Sequence, residues 1–382
     1  MRIKVRLPKV EPDQYDRPSD CPNEGCHSHH FKPHGVRGQR KRIRDPQIDE
    51  VVAYRYRCLG CSSTLRIYPH GVSNDQQSDR LKAMSVLLYA LGMSYGAVED
   101  FLEAIGVFIS KTTVYENVQE AGVVARQRQK EDLANGEQRA AIGSDGTYVK
   151  VKGKQVGVQV VVDDRDGDLL GLEIVTSENT EEVLTLVRGV AEQVNAEVMI
   201  SDDLDVYKKV ADELALEHQI CRSHVKRNVD ALAEALSGQL SEGEPVPEGV
   251  KSSPEGLLAD LEHVRRLVRE RPADGEEQLA QLYDGYKSVR QPAVGKRHSV
   301  WYRMRMLITR LWERWSRLTL DQRRDGLDGT NNSSERTIGW CIKEHYRTMR
   351  GYKRQESILN VVTLTSRMAV RSGHYDMSEL YA

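Results

Sequence analysis

Three acids and two pairs of cysteines are the residues of this sequence whose types and spacing could do chemistry. Asp202 and Asp203 close the apolar run Val198-Met-Ile-Ser201, where a buried strand ends and side chains can reach a site at the sheet's end. Asp145 closes a second short run, Ala140-Ile-Gly-Ser. Glu335 follows Asn331-Asn-Ser-Ser334, residues of helix N-cap type, which places it in the first turns of a helix. Carboxylates are hard oxygen ligands suited to Mg²⁺ (or Mn²⁺). Three of them can hold two such ions about 3.5 to 4 Å apart, one activating water or a 3′-hydroxyl and the other stabilising the leaving oxygen. A single acid at a strand end is a common surface feature; three in fold order are not. Side chains alternate along a strand, so Asp202 is expected as the ligand and Asp203 as its supporting neighbour.

Cys21-Pro-Asn-Glu-Gly-Cys26 and Cys58-Leu-Gly-Cys61 are two cysteine hooks separated by a basic, β-rich stretch. Four thiolates so spaced can close a tetrahedral Zn²⁺ site in the manner of a zinc ribbon. His27, His29, His30 and His34 stand nearby and are read as solvated. Between the hooks run Arg40, Lys41, Arg42 and Arg44, a concentration of cations that would bind phosphates and lose affinity steeply with salt.

The elements that must position these groups follow from periodicity. Leu81, Met84, Leu87, Leu88 and Leu91 recur at helical spacing, Gly92 ends that helix, and Ser94 caps a second one. Ser110 caps a third, which opens on Lys111, Thr112 and Thr113. Short helices around a tight turn predict a helix-turn-helix whose last helix reads the major groove of double-stranded DNA with those three residues. Arg126 to Arg139 is polar and reads as a linker or exposed helix. From Ala140 the pattern is of strands: Ala140 to Asp145, Thr147 to Lys152, Val156 to Val162 and Leu169 to Val175. The aspartates Asp163, Asp164, Asp166 and Asp168 fall near a turn and are expected in solvent. A helix over Thr180 to Val194, a strand over Glu197 to Ser201, a helix over Leu204 to Leu216, a strand over His218 to Ile220 and a helix from Arg222 complete the order of a ribonuclease H-like fold. The fold class is therefore α/β, a ribonuclease H-like mixed sheet with an all-α insertion, preceded by a small zinc ribbon and a helix-turn-helix. Ser237 to Glu255 reads as an exposed loop. The aromatic stripe Trp301, Met304, Ile308, Leu311, Trp312 and Trp315 reads as helix core.

With these motifs in order the chain resembles DDE-type transposases of the Mutator-like kind. The resemblance rests on Asp145-Gly-Thr-Tyr-Val-Lys-Val-Lys, on Ser201-Asp-Asp-Leu-Asp-Val-Tyr, on the Cys-x-x-His of Cys221 and His224, and on Asn331-Asn-Ser-Ser-Glu335-Arg-Thr-Ile-Gly-Trp-Cys-Ile-Lys343. It covers roughly residues 140 to 230 and 328 to 370. It implies Asp145, Asp202 and Glu335 as catalytic metal ligands and Cys221 and His224 as core beside the site. It also implies a helical insertion between the second and third acids. The cations Arg336, Lys343, Arg347 and Arg350 beside the third acid would hold scissile phosphates. The implied reaction is hydrolysis at transposon ends followed by joining of the freed 3′-hydroxyls to target DNA, by a homodimer or higher oligomer that synapses two ends. A catalytically silent DNA-binding regulator and a nuclease without strand transfer are the alternatives. The expected segments are 1–77 (zinc ribbon), 78–136 (helix-turn-helix and linker), 137–228 and 328–382 (catalytic core) and 229–327 (insertion).

At 382 residues the chain has room for several cores, and six cysteines over that length do not make a disulfide scaffold. The net charge of −2 conceals an asymmetry, with bases toward both ends and acids in the middle, a pattern that points to nucleic acid. No apolar run reaches membrane-span length, and Met1-Arg-Ile-Lys-Val-Arg6 is no signal peptide. A cytoplasmic protein is expected, nucleoid-associated if prokaryotic.

Overall fold

The computed structural model describes residues 3–36, 38–136, 138–176, 179–240, 245–250, 252–293, 298–349, 352–369 and 373–381. The chain forms two compact units, one of residues 1–135, 148–156 and 337–382, the other of residues 136–147 and 157–336.

The first unit begins with β1 (Val5–Arg6), β2 (Phe31–Pro33), β3 (Gln39–Arg42), β4 (Glu50–Cys58) and β5 (Thr64–Ile67). Antiparallel β4 is the centre, paired with β2, β3 and β5. Its alternation is that of a sheet wet on one face: Val51 and Ala53 are buried while Val52 and Tyr54 face out. Val51 joins Val10, Ile43 and Val72 in a small core. Three helices follow, α1 (Asp79–Ala90), α2 (Tyr95–Ala104) and α3 (Lys111–Asn135). Each starts on a serine cap, the second and third where expected: the hydroxyls of Ser78, Ser94 and Ser110 accept the amides of Leu81, Ala97 and Thr113.

The second unit is built on a sheet. Its strands are β6 (Ala141–Val151), β7 (Lys154–Asp163) and β8 (Leu169–Val175), then, after α4 (Thr180–Val194), β9 (Val198–Ser201), and after α5 (Asp205–Glu213), β10 (Glu217–Ile220). The order across the sheet is β10-β9-β6-β7-β8, with β9 parallel to both neighbours and β8 antiparallel to β7. β9 is buried along its whole length, as an inner parallel strand should be. The segments expected as two strands on either side of Gly146 are one strand, so Asp145 sits within β6. Its pairing with β9 nevertheless stops at Gly143, and Asp145 lies two residues beyond, where the ladder has opened.

α6 (Arg222–Leu240), α7 (Pro254–Glu270), α8 (Gly275–Tyr286) and α9 (Val300–Leu318) form the helical segment after the sheet. α6 runs through Ser237 to Leu240, residues expected in a loop, because Leu236 at its end is fully buried against α7 and α9. Trp301, Met304, Ile308, Leu311 and Trp315 of α9 are buried in that same core, so the aromatic stripe is packing. The acids near the β7–β8 turn divide. Asp163, expected in solvent, is buried, with Arg139 at 3.1 Å. Burial, then Asp328 and Asp163, push the Asp164 carboxyl up to about 6.

α10 (Asn332–Thr337) carries Glu335. A π-helical stretch, Ile338–Glu344, continues into α11 (His345–Met349), followed by α12 (Gln355–Met368) and β11 (Tyr375–Asp376), which pairs with β1. In the first unit α12 packs along α3. Gly122 makes this possible, since a Cβ there would lie 2.5 Å from Asn360 Cβ. Arg126 donates to Asn360, and Arg367 of α12 pairs with Asp132 at 2.6 Å. These partners explain why α3 continues as helix through the polar stretch from Arg126 to Asn135 instead of becoming a linker. Among the described residues no helix is long and apolar enough to cross a membrane.

Candidate active site

The acids read from the sequence arrive on three elements of the second unit: Asp145 on β6, Asp202 immediately after β9, Glu335 in the first turn of α10. Asp145 is half-buried. Burial first, then the charges of Asp202 and Glu335, push its carboxyl from 3.8 up to about 6. Its Oδ1 accepts the Gly146 amide at 2.8 Å, which fixes the rotamer.

Asp202 is placed by a chain of hydrogen bonds that starts on α9. Arg317 donates to His218 Nδ1 at 3.0 Å, His218 Nε2 meets the Ser201 hydroxyl at 2.8 Å, and that hydroxyl donates to the Asp202 carbonyl at 3.0 Å. The relay needs a neutral imidazole that accepts at one nitrogen and donates at the other. Burial, and then the Arg317 charge, hold His218 down at about 3, so it stays neutral. Asp203, one residue on, turns the other way: its carboxylate pairs with Arg310 at 2.9 Å and with Arg314, both from α9.

Glu335 is held by the fit of α10 on the sheet. Asn331 donates its side-chain amide to the Ser144 carbonyl at 3.2 Å and its backbone amide to Cys221 Sγ at 3.3 Å. Gly143 leaves the space for this approach, because a Cβ there would meet Ser334 Oγ at 2.5 Å and Asn331 Oδ1 at 3.0 Å. Around the carboxylate stand His224 Nε2 at 3.2 Å and Arg227 at 3.7 Å. Cys221, His224 and Glu335 all present ligand atoms within 4.8 Å of one another. Against the effect of its burial, hydrogen bonds from His224 and from the Asn331 amide hold the Cys221 thiol below its ordinary value. The same thiol, ahead of Glu335, raises His224 despite burial. Arg227, Arg310, Arg314, Arg317 and His218 were not singled out in the sequence. Arginines at i, i+4 and i+7 along α9 are visible there, but nothing local says that they reach Asp203 and His218.

The four cysteines Cys21, Cys26, Cys58 and Cys61 converge in the first unit, all four sulfurs within 4.8 Å. Cys21 Sγ lies 3.6 Å from Cys61 Sγ, and Cys26 Sγ lies 3.8 Å from Cys58 Sγ. Zinc–sulfur bonds of about 2.3 Å in a tetrahedron put sulfurs about 3.8 Å apart, so the cluster is compatible with Zn²⁺. Hydrogen bonds from the Ser63 side chain and amide hold the Cys61 thiol down at about 5, toward the thiolate a metal needs. His29 pairs with Asp20 at 2.8 Å.

The cations divide by environment. Arg40, Arg42 and Arg44 are exposed on or beside β3, but Lys41 points inward, donating to the carbonyls of Ser73 and Asp75 with its ammonium over the Tyr68 ring. Lys111 and Thr112 are exposed at the start of α3, while Thr113 closes onto the Ser110 cap at 3.0 Å. Arg336 and Lys343 are exposed, and Arg347 pairs with Glu344 at 2.6 Å. Arg350 lies outside the described residues.

No curated protein matches the chain. Among solved structures it is similar to the HTLV-2 integrase catalytic core domain in complex with magnesium, at 13% identity over 34% of this chain and 84% of that one, with a TM-score of 0.20. It is also similar to the catalytic domain of Mos1 mariner transposase, at 10% identity over 52% of this chain and 90% of that one, with a TM-score of 0.18. The family model described as Transposase IS66 family matches residues 77–343, well over half of the 382 residues. The expectation of a transposase therefore holds, with IS66 as the family shown where the motifs resemble the Mutator-like one. The chain belongs to the IS66 transposase family.

Proposed function

We propose that the chain is an active DDE transposase in which Asp145, Asp202 and Glu335 hold the catalytic Mg²⁺ (or Mn²⁺) ions, on a sheet of ribonuclease H-like type. The observation that carries this reading is the convergence of the three acids on the end of the sheet. They come from separate elements, yet Asp202 and Glu335 both raise the Asp145 carboxyl. Repulsion among half-buried hard oxygen donors is what a divalent cation relieves, and the donor set suits Mg²⁺. Bound there, the ions would activate the attacking water or 3′-hydroxyl and neutralise charge at the scissile phosphate.

The protein's part is positioning. Gly146 orients the Asp145 carboxylate, the Arg317–His218–Ser201 relay sets the backbone of Asp202, and Asn331 seats α10 so that Glu335 faces the sheet. Arg227 offers a cation beside Glu335 for a phosphate. Double-stranded DNA, as transposon end and as target, is bound by Arg40, Arg42, Arg44, Lys111, Thr112, Arg336, Lys343 and Arg347. The helices α1 to α3 act as a helix-turn-helix, and structural Zn²⁺ on the four cysteines holds the first strands together. Synapsis of two ends calls for at least a homodimer. Residues 1–77, 78–136, 137–228, 229–327 and 328–382 divide these tasks.

The test is an assay with labelled terminal-repeat DNA, Mg²⁺ and a supercoiled target. The wild type should cleave and join. Asp145→Asn, Asp202→Asn and Glu335→Gln should each abolish both steps while end binding persists. Cleavage retained by any of the three would remove that residue from the site, and cleavage without joined product would reduce the protein to a nuclease.

A further inference from the structure

A second constellation touches the first and has different chemistry. Cys221 stands between β10 and α6 and His224 follows one turn later on α6, so both side chains emerge on one side of the helix start. Glu335 reaches the same point from α10, its Oε1 3.2 Å from His224 Nε2. One ligand atom from each lies within 4.8 Å of the other two. The supports are firm: Cys221 is fully buried, the Asn331 amide donates to its sulfur, and the Arg222 amide donates to the Gly329 carbonyl at 3.1 Å, tying the two segments together. The site is open on one side, for the His224 and Glu335 side chains are 22% and 38% exposed.

We infer that Cys221, His224 and Glu335 form a binding site for a borderline-soft divalent cation, Zn²⁺ being the physiological choice. Thiolate and imidazole select Zn²⁺ over Mg²⁺, which prefers all-oxygen shells and holds neither sulfur nor nitrogen well. Three protein ligands with an open fourth position make a tetrahedral zinc site completed by water. This is separate from the four-cysteine cluster in residue, donor set and exposure. Its consequence is antagonism: an ion held here engages Glu335 and draws it from the oxygen-ligated ions, so zinc would restrain the transposase. That consequence rests on the catalytic assignment of Glu335 proposed above; the binding itself does not.

Metal content separates the two. The full chain, purified metal-free under reducing conditions and titrated with Zn²⁺, should hold about two ions, one on the four cysteines and one here. His224→Ala and Cys221→Ala should each lose about one ion and keep the other. Co²⁺ in place of Zn²⁺ should give a thiolate charge-transfer band whose wild-type minus His224→Ala difference corresponds to one sulfur. If Cys221→Ala fails to fold, His224→Ala and Glu335→Gln, altered at partly exposed side chains, still decide. A wild type holding a single zinc, or a His224→Ala protein holding as much as the wild type, overturns the site. For the antagonism, Zn²⁺ added over Mg²⁺ should lower wild-type DNA cleavage several-fold and leave the residual rate of His224→Ala unchanged. Equal inhibition of both overturns it. A wild type that binds two zinc ions but never cleaves DNA would discard the catalytic reading and keep the zinc site.

Discussion

Arg310 Nε stands 2.9 Å from Asp203 Oδ2, and Arg314 holds the same carboxylate from its other oxygen. Both arginines belong to α9, so adjacent acids after β9 serve different ends. The Asp202 charge raises the Asp145 carboxyl, and Asp203 anchors α9 to the end of β9. Asp203 and Arg314 are 12% and 11% exposed, and removing the Asp203 carboxylate takes the buried partner from Arg314 and leaves it only the exposed Asp205, which costs up to about 3 kcal/mol. Asp203→Ala should therefore lower stability in denaturant titration by that order, whereas Asp202→Asn should change it little and abolish activity. Equal stability of the two variants would count against the anchor.

The pH dependence follows from Asp145. Its carboxyl is pushed up to about 6 in the folded chain, by burial first and then by Asp202 and Glu335. The folded state therefore keeps this proton longer than the unfolded one, and the contribution of Asp145 to the stability of the metal-free protein is fully present below about pH 4. That contribution is lost between about pH 4 and pH 6, and amounts to about 3 kcal/mol for a shift of this size. Asp145→Asn should flatten that slope. Since protons and cations compete for the same oxygens, Mg²⁺ binding and cleavage should rise with pH through about 6. Calorimetric Mg²⁺ titrations at pH 5 and pH 7.5 check this, and equal affinities would contradict it.

Gly143 should be intolerant of any side chain. A Cβ at this position would press on Ser334 Oγ and Asn331 Oδ1, the residues that seat α10. Gly143→Ala should lower stability by about 1 to 3 kcal/mol and lose cleavage through displacement of Glu335. Gly189→Ala, in α4 with open space around the site, is the control and should be neutral or stabilising by up to about 1 kcal/mol. If both alanines behave alike, close approach at Gly143 is not what sets α10.

Much of this arrangement was legible because it is local. The serine caps of α2 and α3 lie within a few residues of the amides they bond, and the buried run before Asp202 announces an inner strand. The cysteine hooks declare their convergence through spacing. What was hidden depends on partners remote in sequence. The stretch past Arg126 reads equally as linker or exposed helix, and what favours helix is Asn360 and Arg367, more than 230 positions later. Asp163 looks like a turn acid until Arg139 is found beside it. Nothing around Asp203 predicts two arginines arriving from more than 100 positions away. Likewise, a Cys-x-x-His looks like packing until Glu335 is placed next to it.

The basic strand offers a last separation of roles. Arg40 and Arg42 project from β3 into solvent, whereas the Lys41 ammonium is bound to the carbonyls of Ser73 and Asp75 and stacked 4.3 Å from the Tyr68 ring centroid. Burial is the first cause that lowers the Lys41 ammonium below its usual value. Three neighbouring cations of similar appearance should thus respond differently. Arg40→Ala and Arg42→Ala should each weaken DNA binding for any sequence and reduce the log–log salt slope by about 1, with folding intact. Lys41→Ala should leave that slope nearly unchanged and instead destabilise the fold by about 1 kcal/mol, through two carbonyls losing a charged donor. Affinities measured across a salt series, with unfolding curves for the same three proteins, distinguish the cases. A Lys41→Ala protein that loses salt-dependent affinity as the arginine variants do would place its ammonium on DNA.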